Sequence, residues 1–301
     1  MSYVLTLVAS DTKTPVTQKH FKEIGIIFDA YNLSFTGKMD WLDKDKAANI
    51  GISDKAQFSL ISHLRDFLAD DKIDFFITHN EHRTKKLLLA DMDSTIVTGE
   101  TLDEMAGHIG LKDQIAEITA KAMNGELDFH DAIRERVGLL KELPYSDVLD
   151  TLEHTGMSEG AQTFVQTMRT QGATCVLVSG GFTVFTNAIA EKCGFHFNHG
   201  NTLEVENDKL TGKVKEPILD KFAKVEFLKS YMKDLNLEAA DCLTIGDGAN
   251  DIPMLKIADL GIGYKPKEAV KKEIGNCIIY GDLTAALYAQ GYNRKMFQIG
   301  V

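Results

Sequence analysis

Leu87-Leu88-Leu89-Ala90-Asp91-Met92-Asp93-Ser94-Thr95 is the stretch on which the reading of this chain turns. Four apolar-to-small residues stop abruptly at a carboxylate, a second carboxylate follows two positions later, and two hydroxyl side chains come next. An unbroken apolar run of this kind suits a strand buried on both faces of a parallel sheet. Ligands of such sheets bind just beyond the carboxyl ends of the strands. Two carboxylates side by side at that place repel each other unless a cation or a shared proton relieves them. The plainer alternative is a strand that ends in a solvated, Asp-rich turn.

Outward from this stretch, further apolar runs read as strands at residues 173–179, 241–247, 258–263 and 277–280. Helical patterns occupy 182–194 and 221–235, so strand and helix alternate as in a parallel sheet covered on both faces. Two of these strands also run out into chemistry-bearing residues. Residues 241–247 end in Asp247, followed by Gly248, Ala249, Asn250 and Asp251, and a helix then starts with Pro253 in its first turn. Oxygen ligands from two strand ends suit Mg²⁺, which takes few carboxylates and keeps water and phosphate oxygens. Residues 173–179 end in Ser179-Gly180-Gly181 before a helix, where a hydroxyl and bare amides form an anion site; taken alone, this is also a common strand-to-helix turn. Lys224, near the start of the 221–235 helix, would by itself be a solvated surface lysine.

In this order, carboxylate pair, Ser-Gly-Gly, Lys and Gly-Asp-Gly-x-Asn-Asp, residues 85–295 resemble the haloacid dehalogenase-like phosphatases, and within them the phosphoserine phosphatases. The resemblance implies an α/β fold, a Rossmann-like parallel sheet with a helical cap inserted after the first core strand. It implies that Asp91 is the nucleophile and that Asp93 is the general acid and then the base. It further implies Mg²⁺ held by Asp91, the Asp93 backbone carbonyl and Asp247, with Asp251 in support. The phosphoryl oxygens would be held by Ser179, the Gly180 amide, Lys224 and Asn250. Dehalogenases lack the second carboxylate, which is present here as Asp93, and the DKTGT stretch of P-type pumps is missing.

Substrate choice is read from the insertion at 101–155, which is helical in pattern with breaks at Gly110, Gly125 and Pro144. Family members carry a glutamate at the place of Glu100 for the substrate ammonium. They carry a phenylalanine and an arginine at the places of Phe129 and Arg136, to shield the site and grip the substrate carboxylate. Otherwise Phe129 would be cap core, Arg136 a solvated charge and Glu100 a first-turn helix carboxylate. Together the residues imply O-phospho-L-serine as substrate, with hydrolysis as the last step of serine synthesis. Phosphoryl transfer to another alcohol such as homoserine, or action on another phosphorylated amino acid, would use the same residues.

Residues 1–80 form a unit of their own, with strands at 3–10 and 73–79, helical spacing at 18–32 and 55–69, and a further extended stretch at 33–42. This β-α-β pattern resembles the ferredoxin-like ACT domains and implies a small α+β unit for serine sensing or for dimerisation. Residues 80–86, polar and basic, read as a linker to a phosphatase unit over 81–301. Residues 202–214 alternate around Asn207-Asp208 and read as a hairpin.

Composition narrows the rest. Acidic residues outnumber Lys and Arg by 44 to 33, a formal net charge of −11, which argues against nucleic acid or an anionic membrane as partner. No apolar run reaches membrane-spanning length, and the apolar N-terminus reads as a strand rather than a signal peptide. Cys175, Cys193, Cys242 and Cys277 lack metal-ligand spacing and read as buried reduced thiols, which favours the cytosol. The small-molecule substrate is the expected partner, and a homodimer is compatible with the sequence.

Overall fold

The computed structural model describes residues 3–11, 13–123, 127–219 and 222–298. Gly125 lies outside them, and so does the side chain of Phe129. The first elements are β1 (Tyr3–Ala9), α1 (Gln18–Asp29), β2 (Asp40–Asp43), β3 (Ala47–Ile52), α2 (Phe58–Leu68) and β4 (Ile73–His79). They form an antiparallel sheet in the order β2-β3-β1-β4, with Leu5 opposite both Ile50 and Ile77. Two helices on such a sheet make the ferredoxin-like βαββαβ topology. Its core is apolar, with Leu5, Leu7, Ile24, Phe28, Leu60 and Leu64 fully buried.

The second sheet begins with β5 (Leu87–Ala90), after which the chain leaves for a helical excursion through α3 (Thr101–Gly107), α4 (Lys112–Met123), α5 (Phe129–Leu139) and α6 (Tyr145–His154). It returns through α7 (Ala161–Thr170), β6 (Thr174–Phe182), α8 (Thr183–Cys193), β7 (Phe197–Glu206) and β8 (Lys209–Lys215). The last elements are α9 (Ala223–Asp234), β9 (Cys242–Gly246), α10 (Ile252–Ile257), β10 (Leu260–Tyr264), α11 (Glu268–Lys271), β11 (Asn276–Ile278) and α12 (Ala285–Ala289). The strand order is β11-β10-β9-β5-β6-β7-β8. All neighbours pair in parallel except β7 and β8, which form a hairpin. Asn207 and Asp208 both take positive φ in its turn, the conformation that two-residue hairpins require.

The sheet is an α/β core of the Rossmann type, and β5 lies between β9 and β6, with Leu89 opposite Thr244 and Val176. Leu88 and Ala90 face one core, Leu87 and Leu89 the other, and all four are fully buried. That two-sided burial is why the stretch reads as an unbroken apolar run rather than an alternating one. It also carries the carboxyl ends of β5, β6 and β9 to one edge of the sheet.

Three local features differ from the sequence reading. The strand at Ala47–Ile52 is unexpected, because its alanines and Gly51 lack the bulk that marks strands. β7 starts before the hairpin, since it also pairs with β6. Residues 80–86 are a packed connection rather than a free linker. Lys85 is buried and its ammonium meets Asp259 Oδ2 at 2.5 Å and the carbonyls of His82 and Ala240. Arg83 donates to Thr6 Oγ1 and to the Ala289 carbonyl. Polar character predicts exposure only while partners are unknown.

The same kind of bond joins the two sheets elsewhere. Arg65 donates to the carbonyls of Lys271, Ile274 and Gly275. Asp74 accepts from the amides of Ile279, Tyr280 and Gly281, and the Asn276 side chain bonds both the N–H and the carbonyl of Ile77. The four cysteines are free and buried. No helix among the described residues is long and apolar enough to cross a membrane.

Candidate active site

Asp91 follows the last residue of β5, and its N–H donates to the Ile245 carbonyl of β9. Its buried carboxylate receives the Lys224 ammonium at 2.6 Å on Oδ1. Lys224, at the start of α9, also reaches Asp251 Oδ1 at 2.5 Å. It is a buried cation between two carboxylates rather than the surface lysine its position on a helix would suggest. Asp251 is fully buried and its other oxygen accepts the N–H groups of Asp247 and Gly248. Gly246 is required here, because a Cβ at that position would fall on the Asp251 carboxyl group.

Carboxylate atoms of Asp91, Asp247 and Asp251 can lie within 4.8 Å of one another. Asp91 and Asp247, on neighbouring strand ends, are thus brought together as their shared strand-end position required. Burial pushes the Asp91 pKa well up, the Asp251 charge adds to that, and Lys224 opposes it. Asp247 is pushed up by burial and pulled back by Lys267. Burial works against the Lys224 ammonium, but Asp251 and Asp91 overcome it and the net shift is upward.

The donor set fits a hard divalent cation. It is all oxygen, it is buried, and three carboxylates face one buried ammonium. Asp251 is saturated by Lys224 and two backbone amides, so it shapes the site. Asp91 Oδ2 and Asp247 Oδ1 keep no hydrogen-bond partner among the described residues.

Asp93 sits in the turn after Asp91. Thr101 donates to its Oδ1 through both N–H, at 2.9 Å, and hydroxyl, at 2.8 Å, and Ser179 Oγ donates to Oδ2 at 2.9 Å. Burial raises the Asp93 pKa; the Thr101 and Ser179 bonds oppose this, and the Glu100 charge adds to it. Ser179, from the end of β6, also accepts the Gly181 N–H at 2.8 Å. A Cβ on Gly181 would lie 2.9 Å from Asp93 Oδ2. The Gly180 carbonyl is held by Asn201. Asn250 is exposed and 3.4 Å from Asp251 Oδ1.

Ser94 takes a left-handed conformation, φ +54°, uncommon for a residue with a side chain. It donates its hydroxyl to Glu100 Oε1 at 2.9 Å, at the entry to α3. Arg136, on α5, gives Nε to the Ala132 carbonyl and Nη1 to Thr119 Oγ1. Burial lowers its pKa, while Asp103 and Glu100 oppose that shift. Phe129 opens α5, but its side chain lies outside the described residues.

Two site residues escaped the sequence reading. Thr101 could have been suspected as a hydroxyl at the start of the cap helix. Lys267, in the Lys265-Pro266-Lys267 turn after β10, meets Asp247 Oδ2 at 3.0 Å and Glu100 Oε1 at 3.8 Å. Its only signal was two lysines flanking a proline after a strand.

This arrangement, a buried carboxylate cluster with a lysine at the ends of β5, β6 and β9 and a helical insertion over it, is matched by a family model. The haloacid dehalogenase-like hydrolase model covers residues 88–256, and the chain belongs to that family of enzymes. Among its relatives, the phosphoserine phosphatase of Methanocaldococcus jannaschii is 38% identical over 205 residues, 68% of this chain and 97% of that protein. A solved structure described as a phospho-aspartyl intermediate analogue of phosphoserine phosphatase is 38% identical, with a TM-score of 0.63 over 68% of this chain and 98% of its own. The crystal structure of a hydrolase of the same family from Salmonella enterica serovar Typhi is 26% identical. Its TM-score is 0.82 over 96% of this chain and 98% of its own, so the likeness extends through the N-terminal sheet.

Proposed function

We propose that the chain is a Mg²⁺-dependent phosphatase that hydrolyses O-phospho-L-serine to L-serine and phosphate through a phosphoaspartate on Asp91. The observation that carries this reading is the pairing of two carboxyl groups with different surroundings: Asp91 against a buried ammonium, Asp93 against hydroxyl and amide donors. It is supported by the phosphoserine phosphatases among the relatives and by the phospho-aspartyl analogue of one of them. Asp91, Asp247 and the Asp93 carbonyl would hold the ion. When bound, it supplies positive charge that screens the repulsion between the Asp91 carboxylate and the phosphate.

An Asp91 oxygen attacks phosphorus and the bond from phosphorus to the serine oxygen breaks. Asp93, whose burial favours the protonated form, gives its proton to the departing alkoxide. As a carboxylate it then takes a proton from water, which attacks the same phosphorus and breaks the bond to Asp91. Lys224, Ser179, the Gly180 amide and Asn250 hold the phosphoryl oxygens as charge builds. Phe129 shields the site, Glu100 meets the substrate ammonium and Arg136 its carboxylate. In this reading residues 1–80 and 81–301 are separate units with the cap at about 101–155, and the protein works in the cytoplasm on a free small molecule.

Phosphate release from O-phospho-L-serine, measured with Mg²⁺ and with chelator, tests the reading. Asp91→Asn should fold and lose at least about 10³-fold of kcat. Turnover that survives in Asp91→Asn removes the covalent mechanism, and equal rates on sugar phosphates remove the substrate.

A further inference from the structure

Lys267 is the one basic side chain described here that touches both ends of the site, Asp247 on the strand side and Glu100 on the cap side. Its backbone is fastened: Lys267 N–H donates to the Asp247 carbonyl at 2.9 Å, and its own carbonyl accepts from Val270 and Lys271. The preceding Lys265 N–H donates to Ile278 in β11. The side chain above this turn is half-exposed, so the ammonium faces solvent as well as the two carboxylates.

We propose that Lys267 is a substrate-contacting residue that binds the α-carboxylate of the phosphorylated amino acid, an inference that rests on the function proposed above. Charge balance selects the ligand. A cation on Asp247 and a substrate ammonium on Glu100 each neutralise a partner of Lys267, which keeps its own charge. Of the two anions the substrate brings, the phosphoryl group is held by Lys224, Ser179, the Gly180 amide and Asn250, which leaves for Lys267 the carboxylate that shares one carbon with the ammonium. The separation of those two groups is of the same order as the 3.8 Å between Lys267 Nζ and Glu100 Oε1. Arg136 already gives Nε and one Nη1 hydrogen to Ala132 and Thr119 within the cap, which leaves only part of its fork for the carboxylate. A second cation completes the grip. Glu100 and Lys267 would then read the zwitterion as a pair, one carboxylate and one ammonium facing the opposite charges of a free amino acid.

The test compares ligands that differ only in the carboxylate. For the full chain with Mg²⁺, the ratio of kcat/KM for O-phospho-L-serine to that for O-phosphoethanolamine is measured in the wild type, Lys267→Met and Lys267→Arg. Calorimetric binding of L-serine and ethanolamine gives the same ratio without turnover. Loss of one charged hydrogen bond predicts that both ratios fall at least about tenfold in Lys267→Met and largely recover in Lys267→Arg. Ratios that stay constant overturn the proposal. If both ligands weaken together, Lys267 acts on Asp247 or on the phosphate; if neither changes, it is a solvated lysine. A wild type that releases no phosphate from O-phospho-L-serine, with other esters turned over, overturns the proposed function itself. Unfolding midpoints of the variants within about two degrees of the wild type exclude loss of fold as the cause.

Discussion

Lys224→Met puts the carboxylate cluster to its hardest test. The substitution keeps the length of the buried stem and removes the one ammonium that joins Asp91 and Asp251. At an effective dielectric constant near 20, an ion pair at the 2.6 Å separation of Lys224 and Asp91 is worth about 6 kcal/mol of gross attraction. Desolvation of both partners offsets much of it. Removing one member of such a buried pair typically costs about 3–5 kcal/mol, because an uncompensated charge stays behind. In a chain of this size that lowers the unfolding midpoint by roughly 10 °C. Protonation gives the variant a way out. Asp91 already has a raised pKa, and without Lys224 it rises further, so the native state holds its proton to higher pH. A carboxyl group whose folded value lies above its unfolded value loses stability as the pH climbs through the folded value. The loss should therefore be larger at pH 8 than at pH 5, and added Mg²⁺ should restore part of it. Urea denaturation of both proteins at the two pH values measures this. A loss below about 1 kcal/mol at pH 8, the size expected of an exposed pair, refutes the buried cluster. So does a loss that is equal at both pH values and indifferent to Mg²⁺.

The seam between the two sheets carries two further expectations. Burial pushes the Asp74 carboxyl up to about 6, although three backbone N–H groups oppose the shift. Its contribution is therefore complete only well below the unfolded value near 4 and lost as the pH rises through about 6, so wild-type stability relative to Asp74→Asn should fall by about 2 kcal/mol between pH 4 and pH 7. A flat difference between the two denaturation series contradicts this. Arg65→Ala removes three bonds to carbonyls and should lower stability by about 2 kcal/mol, with faster amide exchange at residues 272–281. Unchanged exchange there would mean that the seam is held without Arg65.

What the sequence made legible follows from where side chains bury. Strands covered on both faces announce themselves as apolar runs, and a carboxylate ending such a run is conspicuous. For that reason Asp91 and Asp247 could be placed together at adjacent strand ends, and the Asn207-Asp208 turn read as a hairpin. Polar residues whose burial depends on distant partners gave no such sign. Lys85 meets Asp259, 174 residues away, and Asp74 meets amides more than 200 residues away. Each looks like surface until its partner is seen. Lys224 is the same case inside the site, recognisable only through the order of its neighbours. Thr101 lies within the family-like stretch 93–106 but was masked there by Glu100, and Lys267 had neither a motif nor an apolar frame to mark it.

Three of the residues that escaped this reading share a further property that bears on how the chain works. Arg65, Asp74 and Asn276 all bond to main-chain groups rather than to one another's side chains. Main-chain partners cannot rotate away, so such bonds fix position and register more than they add net energy. They attach the N-terminal sheet to α11 and β11, the elements that follow the Lys265-Pro266-Lys267 turn. Arg65 binds the carbonyl of Lys271, and the N–H of Lys271 binds the carbonyl of Lys267. A chain of two hydrogen bonds and one helical turn therefore joins α2 of the N-terminal unit to the backbone of Lys267, whose ammonium faces Asp247 and Glu100. Arg65→Ala should then raise KM for O-phospho-L-serine with little change in kcat, the signature of a loosened binding group. The opposite split, a lower kcat at constant KM, would show that the seam does not act through Lys267.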